Sequence, residues 1–577
     1  MIKENSHRKK IFKRYLYFGV GSLLIITLLT LSLIMRDSIT QSQKERNLEA
    51  NPYRNQDELL LEEKIELPEE INVCIEDRNL EQNGILTELE RELSSISDRM
   101  ENTELKKNAT PCDIEIVFNP KNSSNFEQIW YELYVPITQI NSTIFNLDYN
   151  TLQDSILTKS KKIYWSQDIN QKMQDYFNLP VGREITQEKT VLSKAKKYRL
   201  NLSNDEEIIG IIKFDNLDAD LRIIPYNNVT PFSENFSLEN YPFKNEYYVR
   251  YSDQIDIESR PLISTTLQEI LYRKFENSKF DQDSATSILF TGRSELGTGI
   301  LSDIRKRDPV SEEIKVLIDE SKIALFNNES PIYSKCHSST SGVTCGTPTD
   351  LDYLAILGFD IVDGSGNFSR TRVNETIKHY KDKNLKYFGI GENWKKAHTP
   401  KYIDSGSRFS FLAYSLNPLE RNRLATRNQP GNAGPDSSIS DMRKAKESSD
   451  FLIVTVHNPI TYSNKIEPYN ERGTKSFLKY DADLVIVLNT PSVKNIEKVS
   501  INKREKFVFY GLGNFLPNNK NSEDDKSGVI LRINIYNKKL VNYELIPIYL
   551  NEKRNIEVAK DKKSTEILYN IFEESKL

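Results

Sequence analysis

Five polar side chains in the second half of the chain lie at the ends of apolar segments, and their types could do chemistry. They are Arg293 in TGRS, Glu329 in NNES, Asn367 in SGNF, His457 in VTVHNP and Asn514 in GLGNF. Carboxylate, amide and imidazole groups can hold divalent metal ions, whereas a guanidinium suits a carboxylate or a phosphate. If the fold brings these side chains together, they predict a metal-dependent hydrolytic site or a cleft that binds anions.

Each of these side chains also has an ordinary structural interpretation. His457 lies on an almost continuous apolar strand, so it could be a buried histidine bonded to the backbone. Glu329 could cap a turn, and Arg293 could be a solvated residue at the end of a strand. Asn367 and Asn514 each follow a glycine, where asparagine also serves in turns with positive φ.

The histidine count limits the possible chemistry. The chain has five histidines, and one of them, His7, lies close to the N-terminus. The sequence contains no H-E-x-x-H, G-x-S-x-G or Walker motif. These observations argue against a histidine-rich catalytic metal centre.

The elements that would position these residues alternate between strand and helix from residue 286 onward. SILF, IALF, FLIVTV and DLVIV are apolar strands, and each is followed by a polar or Gly-rich loop. In α/β folds, loops at the carboxyl ends of strands build the site. The pattern therefore predicts an α/β domain over 286–555, with a C-terminal tail over 556–577.

A second α/β domain is predicted over 71–255. Its segments EEIIGIIKFDNL, LRIIPY and YPFKNEYYVRYS resemble the lobes of a periplasmic solute-binding protein of the phosphate-binding type. Some other α/β domain is the alternative. The polar, periodic stretch 256–285 is expected to form a helical linker.

The N-terminal region indicates a membrane anchor. Residues 15–35 carry no charged side chain and follow a basic flank, which predicts a single transmembrane helix with a cytoplasmic tail over 1–14. A polar stalk over 36–70 would lead to an extracytoplasmic bulk at the cell membrane. A cleaved signal peptide is the alternative. The net charge of −5 gives no clustered basic face, so a nucleic-acid partner is not expected.

The four cysteines are expected to pair as two disulfides, because an exported chain with an even cysteine count favours them. The pairs are Cys74 with Cys112 and Cys336 with Cys345. A zinc site is the rival interpretation, but the sequence has no C-x-x-C.

The motifs of 286–550 together resemble the CapA/PgsA family of poly-γ-glutamate capsule synthesis proteins. The matching segments, in order, are TGRSELG, NNESP, LAILGFDIVDGSGN, FGIGEN, VTVHNP, DADLVIV and YGLGNF. The resemblance implies a calcineurin-type metallophosphoesterase fold, a four-layer αββα sandwich that holds two metal ions.

The chain departs from that family at several implied metal ligands. Arg293 stands at the position of the first-strand aspartate, and Phe368 stands at that of a histidine. The stretch LNTPS (488–492) replaces the closing H-x-H, so only Glu329, Asn367 and His457 remain of the ligand set. We therefore expect that the metal chemistry is lost and that no cofactor is bound, with a divalent metal as the alternative.

The leading hypothesis is a membrane-anchored CapA-like protein that assists capsule or surface-polymer assembly through a degenerate, non-catalytic cleft. Its expected partners are the membrane, an anionic surface polymer and other capsule-assembly proteins. The alternatives are an active metal-dependent hydrolase and a solute-binding or sensing protein of the cell envelope.

Overall fold

The structure is a computed structural model. It describes residues 68, 70–75, 84–96, 104–107, 110–120, 125–158, 162–179, 207–275, 280–297, 308–336, 345–366, 369–416, 418–458, 468–517 and 526–577. Among these residues, none of the helices combines the length and the apolar character needed to cross a bilayer. The predicted transmembrane segment 15–35 and nearly all of the predicted stalk 36–70 lie outside the described residues.

The described strands and helices are numbered in chain order. The strands are β1 Glu70–Ile75, β2 Glu104–Lys107, β3 Ile114–Phe118, β4 Glu127–Gln139, β5 Lys162–Trp165, β6 Ile208–Lys213, β7 Leu221–Ile223, β8 Lys244–Tyr251, β9 Ala285–Phe290, β10 Arg293–Ser294, β11 Ile323–Asn327, β12 Ile361–Asp363, β13 Lys386–Phe388, β14 Ile390–Gly391, β15 Lys401–Ser405, β16 Ser407–Ser415, β17 Gly431–Asn432, β18 Phe451–His457, β19 Leu484–Leu488, β20 Ile496–Ile501, β21 Arg504–Phe509, β22 Asn514–Leu516, β23 Ser527–Tyr536, β24 Lys539–Leu550 and β25 Ile556–Val558. The helices are α1 Ile85–Ile96, α2 Tyr149–Thr158, α3 Asn170–Tyr176, α4 Arg260–Lys274, α5 Glu312–Asp319, α6 Pro348–Ile356, α7 Arg370–Asp382, α8 Trp394–Ala397, α9 Ser438–Glu447, α10 Pro468–Lys479 and α11 Asp561–Glu573.

The chain divides into two compact units. One comprises Met1–Tyr131 with Glu246–Ser278, and the other comprises Glu132–Asn245 with Lys279–Leu577. This division does not coincide with the predicted boundaries, because it groups 132–245 with the C-terminal half. The boundaries at 255 and 285 remain predictions.

The larger unit contains two sheets that face each other. The first has the order β13-β12-β11-β9-β23-β24-β25, and its strands from β13 to β9 run parallel. The second has the order β15-β16-β18-β19-β21-β20, with β16, β18, β19 and β21 parallel. Every residue of β18 is buried, as expected for an internal parallel strand covered on both faces. The α/β class is confirmed.

Helices cover the outer face of each sheet. Side chains such as Phe290, Phe411 and Ile453 fill the core between the sheets. Ile314 of α5 packs outside the first sheet together with residues of α6 and α7, and Met442 of α9 packs outside the second sheet together with residues of α10. The order of layers is therefore helices, sheet, sheet, helices.

The C-terminal segment 556–577 takes part in this packing. Strand β25 pairs antiparallel with β24 at the edge of the first sheet. Ile567, Leu568 and Ile571 of α11 are buried in the core between the sheets.

The smaller unit has its own core. Strand β1 pairs in parallel with β2 and β3, and β8 pairs antiparallel with β3. Apolar side chains of α1 and α4, among them Leu89, Ile263 and Leu267, are buried against these strands. Helix α4, within the predicted linker 256–285, is thus part of this core.

Both predicted disulfides are present. Cys74 is bonded to Cys112 with Cα atoms 5.8 Å apart, and Cys336 is bonded to Cys345 with Cα atoms 5.9 Å apart. The first joins the end of β1 to the residues just before β3, and the second closes a short loop after β11.

Candidate functional site

Backbone pairing brings together the ends of several strands of the larger unit. Arg293 of β10 stands opposite Asn514 of β22, and its backbone N–H donates to the carbonyl of Gly513 at 2.8 Å. The next residue, Ser294, accepts a 2.9 Å hydrogen bond from the backbone N–H of Glu329. Three of the residues predicted from sequence are therefore held close together by backbone hydrogen bonds.

His457 lies between two carboxylates. Its Nδ1 is 3.3 Å from Oε1 of Glu329, and its Nε2 is 3.3 Å from Oδ2 of Asp363. The Nε2 contact is a hydrogen bond, whereas Nδ1 has no hydrogen-bond partner among the described residues, so its contact with Glu329 is an ion pair. All three side chains are almost completely buried.

Short hydrogen bonds from Ser365 and Thr455 fix Asp363 at the end of β12. Its Oδ1 accepts from the backbone N–H of Ser365 at 2.9 Å and from the Ser365 hydroxyl at 2.5 Å. Its Oδ2 accepts from the hydroxyl of Thr455 at 2.5 Å. Thr455 and His457 are two residues apart on β18 and therefore share one face of the strand.

These contacts shift the pKa values of both partners. Burial alone would lower the pKa of His457, but the negative charges of Asp363 and Glu329 outweigh it and raise the pKa to about 10. Burial alone would raise the pKa of Asp363, but the His457 charge and the hydrogen bonds hold it below its usual range. Both shifts have the direction expected of an ion pair between His457 and Asp363.

Arg293 forms a second ion pair at the same strand ends. Its guanidinium pairs with Glu295, and only 13% of its side chain is exposed. Its Nε donates to Oδ1 of Asn489 at 3.4 Å, and Asn489 donates in turn to the carbonyl of Asn458. We call the residues Arg293, Glu295, Glu329, Asp363 and His457 the charge-paired cleft.

Close backbone approach at Gly292 supports this arrangement. A Cβ atom on Gly292 would lie 2.3 Å from the carbonyl oxygen of Gly513. Only glycine therefore allows β10 to reach β22, which places Arg293 beside Asn514.

The structure brings together four of the five residues predicted from sequence. Asn367 lies outside the described residues, as does Phe368. Sequence reasoning missed Asp363, Glu295 and Asn489. A usable signal for Asp363 was its place directly after the apolar strand residues Ile361 and Val362, comparable to that of Glu329 after β11.

The described residues do not fit a dinuclear metal centre. Among them, no group of three or more histidine, cysteine and acidic side chains is arranged to hold a metal ion. The Nε2 atom of His457 and the Oδ2 atom of Asp363 are hydrogen-bonded to each other, and the ion pair of Arg293 with Glu295 adds a positive charge close by. We derive no step of chemistry through a metal ion.

The larger unit is thus a mixed α/β sandwich with ion pairs at the ends of its strands. Sequence comparison relates part of this unit to capsule synthesis proteins. Residues 287–519 match the family described as "Bacterial capsule synthesis protein PGA_cap". A relative described as "Capsule biosynthesis protein CapA", from Bacillus anthracis, is 29% identical over 170 residues. That match covers 28% of this chain and 40% of the relative. The region 287–519 is thus CapA-like in sequence.

Comparison with solved structures gives low scores. An ABC-type phosphate transport receptor from Vibrio cholerae is 11% identical, covering 37% of this chain and 99% of that chain, with a TM-score of 0.28. An OxyR mutant from Corynebacterium glutamicum is 12% identical, covering 41% of this chain and 74% of that chain, with a TM-score of 0.22. Scores this low carry no argument, so the solute-binding resemblance of 71–255 remains a prediction.

Proposed function

We propose that this chain is a membrane-anchored, extracytoplasmic protein that assists the assembly of a capsule or another surface polymer through a non-catalytic cleft. The CapA-like sequence of residues 287–519 supports the polymer-assembly role. The proposal that the cleft is not catalytic rests on the ion pairs of His457 with Glu329 and Asp363.

The ion pairs oppose metal-dependent hydrolysis for an electrostatic reason. A two-metal site needs ligands whose lone pairs point at the ions. In the charge-paired cleft, the carboxylates of Glu329 and Asp363 instead face the protonated ring of His457, and Glu295 faces Arg293. A metal ion would have to displace a proton and compete with two internal cations.

An anionic surface polymer, one of the predicted partners, would need more than Arg293 to bind to. Because Arg293 is paired with Glu295 and mostly buried, an anionic polymer could reach its guanidinium only if that pair opened. We therefore assign the ion pair of Arg293 with Glu295 a structural role in the cleft rather than a direct contact with the polymer. The membrane anchor at 15–35 would hold this domain close to the site of assembly.

Metal content and hydrolytic activity test the proposal that the cleft is not catalytic. The full chain is purified, dialysed and examined for Mn, Fe and Zn by mass spectrometry, and phosphodiester hydrolysis is measured for wild type, His457→Ala and His379→Ala. We expect less than one-tenth equivalent of metal and no hydrolysis by any form. Near-stoichiometric metal, together with hydrolysis that His457→Ala abolishes and His379→Ala keeps, would establish the active hydrolase instead.

The amount of surface polymer on cells tests the proposed role in polymer assembly. Cells that lack this chain should carry less capsule or surface polymer, and the wild-type chain should restore it. A chain that lacks residues 1–36 should fail to restore it, because it would not be anchored. Unchanged polymer in the deletion strain would overturn the proposed role.

A further inference from the structure

A cavity of about 540 Å³ lies within the larger unit, and none of its lining residues belongs to the charge-paired cleft. Helix α5 contributes Val316 and Leu317 to one wall, and Ile546 and Val558 come from the first sheet. Phe145 faces them from the segment 132–245. The volume and the apolar walls are typical of small-molecule sites.

Arg532, which lines the cavity, belongs to a buried ion network. Glu544 accepts from Arg222 through Oε1, at 2.7 Å from Nη2, and from Arg532 through Oε2, at 2.6 Å from Nη2. Both carboxylate oxygens of Glu544 are therefore used. Two guanidinium groups share one buried carboxylate, which leaves a positive charge to be balanced.

The carboxylate of Glu320 lies close enough to Arg532 to balance only part of that positive charge. Its Oε2 lies 3.9 Å from Nη1 of Arg532, which is too long for a hydrogen bond. Within the described part of the chain, the carboxylate of Glu320 accepts no hydrogen bond, although only 10% of the side chain is exposed. A mostly buried carboxylate that lines a cavity and accepts no hydrogen bond from the protein leaves its oxygens available to a donor from a ligand.

The rim of the cavity carries more acid than base. Glu312, Glu313 and Asp561 are acidic, whereas Lys560 is basic and is paired with Glu313 at 2.8 Å. When Glu320, Arg532, Glu544 and Arg222 are included, five acidic side chains stand against three basic ones. The lining therefore favours a positively charged ligand over an anion.

We propose that this cavity binds a small amphiphilic cation, a protonated amine on an apolar body. The ammonium group donates to the carboxylate of Glu320, and the apolar body packs on Leu317, Ile546, Val558 and Phe145. This inference does not depend on the function of the cleft.

The charges around Glu320 add a pH dependence to this binding. Burial raises the pKa of Glu320 to about 7; Arg532 of β23 opposes the rise, and Glu544 of β24 and Asp319 of α5 add to it. Arg222 of β7 lies behind Glu544, and Glu234 contacts only the backbone carbonyl of Glu320. Because the amine pairs with the ionised carboxylate, affinity should rise about tenfold from pH 6 to pH 8.

Titration calorimetry of the full chain tests the proposal with three probes of one shape, 4-phenylbutylamine, 4-phenylbutanol and 4-phenylbutanoate. We expect the amine to bind at least tenfold more tightly than the other two at pH 8. Glu320→Gln should weaken amine binding at least tenfold and remove its pH dependence. Glu375→Gln, which changes an exposed glutamate of α7, is the control and should leave binding unchanged.

Three outcomes would overturn the proposal. Tighter binding of the carboxylate would make the cavity an anion site. Equal amine binding by wild type and Glu320→Gln would remove Glu320 from the site. No binding of any probe at millimolar concentration would show that the cavity does not accept a ligand of this class. Since these readouts use no polymer or metal, they separate this proposal from the function proposed above.

Discussion

The Nε2 atom of His457 lies 3.3 Å from the Oδ2 atom of Asp363, and the two residues belong to different sheets of the sandwich. Asp363 ends β12 in the first sheet, and His457 ends β18 in the second. The contact is therefore an electrostatic bridge across the core at its polar edge.

Removal of the imidazole should destabilise the larger unit strongly. His457→Ala removes the cation that faces the buried carboxylates of Glu329 and Asp363, and breaking a buried pair in this way costs about 3–5 kcal/mol. Urea unfolding at pH 6, followed by fluorescence, measures the change. His379→Ala, at a partly exposed histidine of α7, should cost less than about 0.5 kcal/mol. Equal effects of the two variants would contradict the bridge.

The stability of the larger unit should fall in alkaline solution. The folded pKa of His457 is about 10, above the ordinary value of 6.5, so its contribution is complete below pH 6.5 and disappears as the pH rises through 10. The pKa of Asp363 is lowered in the folded state, so the stabilisation that its carboxylate provides is lost only in acid, below the ordinary value of 3.8. Between pH 7 and 10, the free energy of unfolding should fall more steeply for wild type than for His457→Gln. Parallel profiles of the two proteins would count against the assignment.

Gly292→Ala should disturb the cleft because the new methyl group would meet the carbonyl of Gly513. We expect a loss of about 1–3 kcal/mol, the usual cost of overpacking. Gly473→Ala is the control: the nearest atom to its Cβ is 3.8 Å away, and this helical glycine should gain about 0.4–1 kcal/mol on substitution. Thermal unfolding of both variants decides the matter, and a stabilised Gly292→Ala would disprove the close approach.

Both disulfides should resist labelling and contribute to stability. A maleimide reagent should modify none of the four cysteines in the denatured, unreduced chain. Replacing Cys74 and Cys112 by alanine should cost about 2–4 kcal/mol, because the bond closes a long loop in the unfolded state. The pair Cys336 and Cys345, with a sequence separation of 9 against 38, should cost about 1 kcal/mol less. Labelling of any cysteine before reduction would contradict the pairing.

The sequence predicted those parts of the fold that local patterns determine. The apolar runs that became β9, β11, β18 and β19 were visible because internal strands are covered on both faces and are mostly apolar. The cysteine pairs were visible because an exported chain with an even count favours disulfides. The helix–sheet–sheet–helix order followed from the family resemblance rather than from any local pattern.

The sequence did not predict what depends on contacts between distant segments. Glu329 and His457 were proposed for a metal remnant, but their ion pair with Asp363 could not be read from spacing, since Asp363 and His457 are 94 residues apart and on different sheets. Likewise, nothing local showed that Glu295, two residues beyond Arg293, would pair with its guanidinium. Opposite charges at a strand end become partners only when the fold selects their side-chain directions.

The ion pair between Arg222 and Glu544 has a consequence for how this protein could be divided or recombined. The CapA-like region ends at residue 519, so it contains neither partner. A gene fusion that contained only residues 287–519 would omit β23 and β24, which are two strands of the first sheet. A fusion that continued from residue 287 to the C-terminus would include Glu544 but not Arg222. An exchange that left out residues 132–245 would therefore remove one of the two guanidinium partners of Glu544 and leave its carboxylate with Arg532 alone.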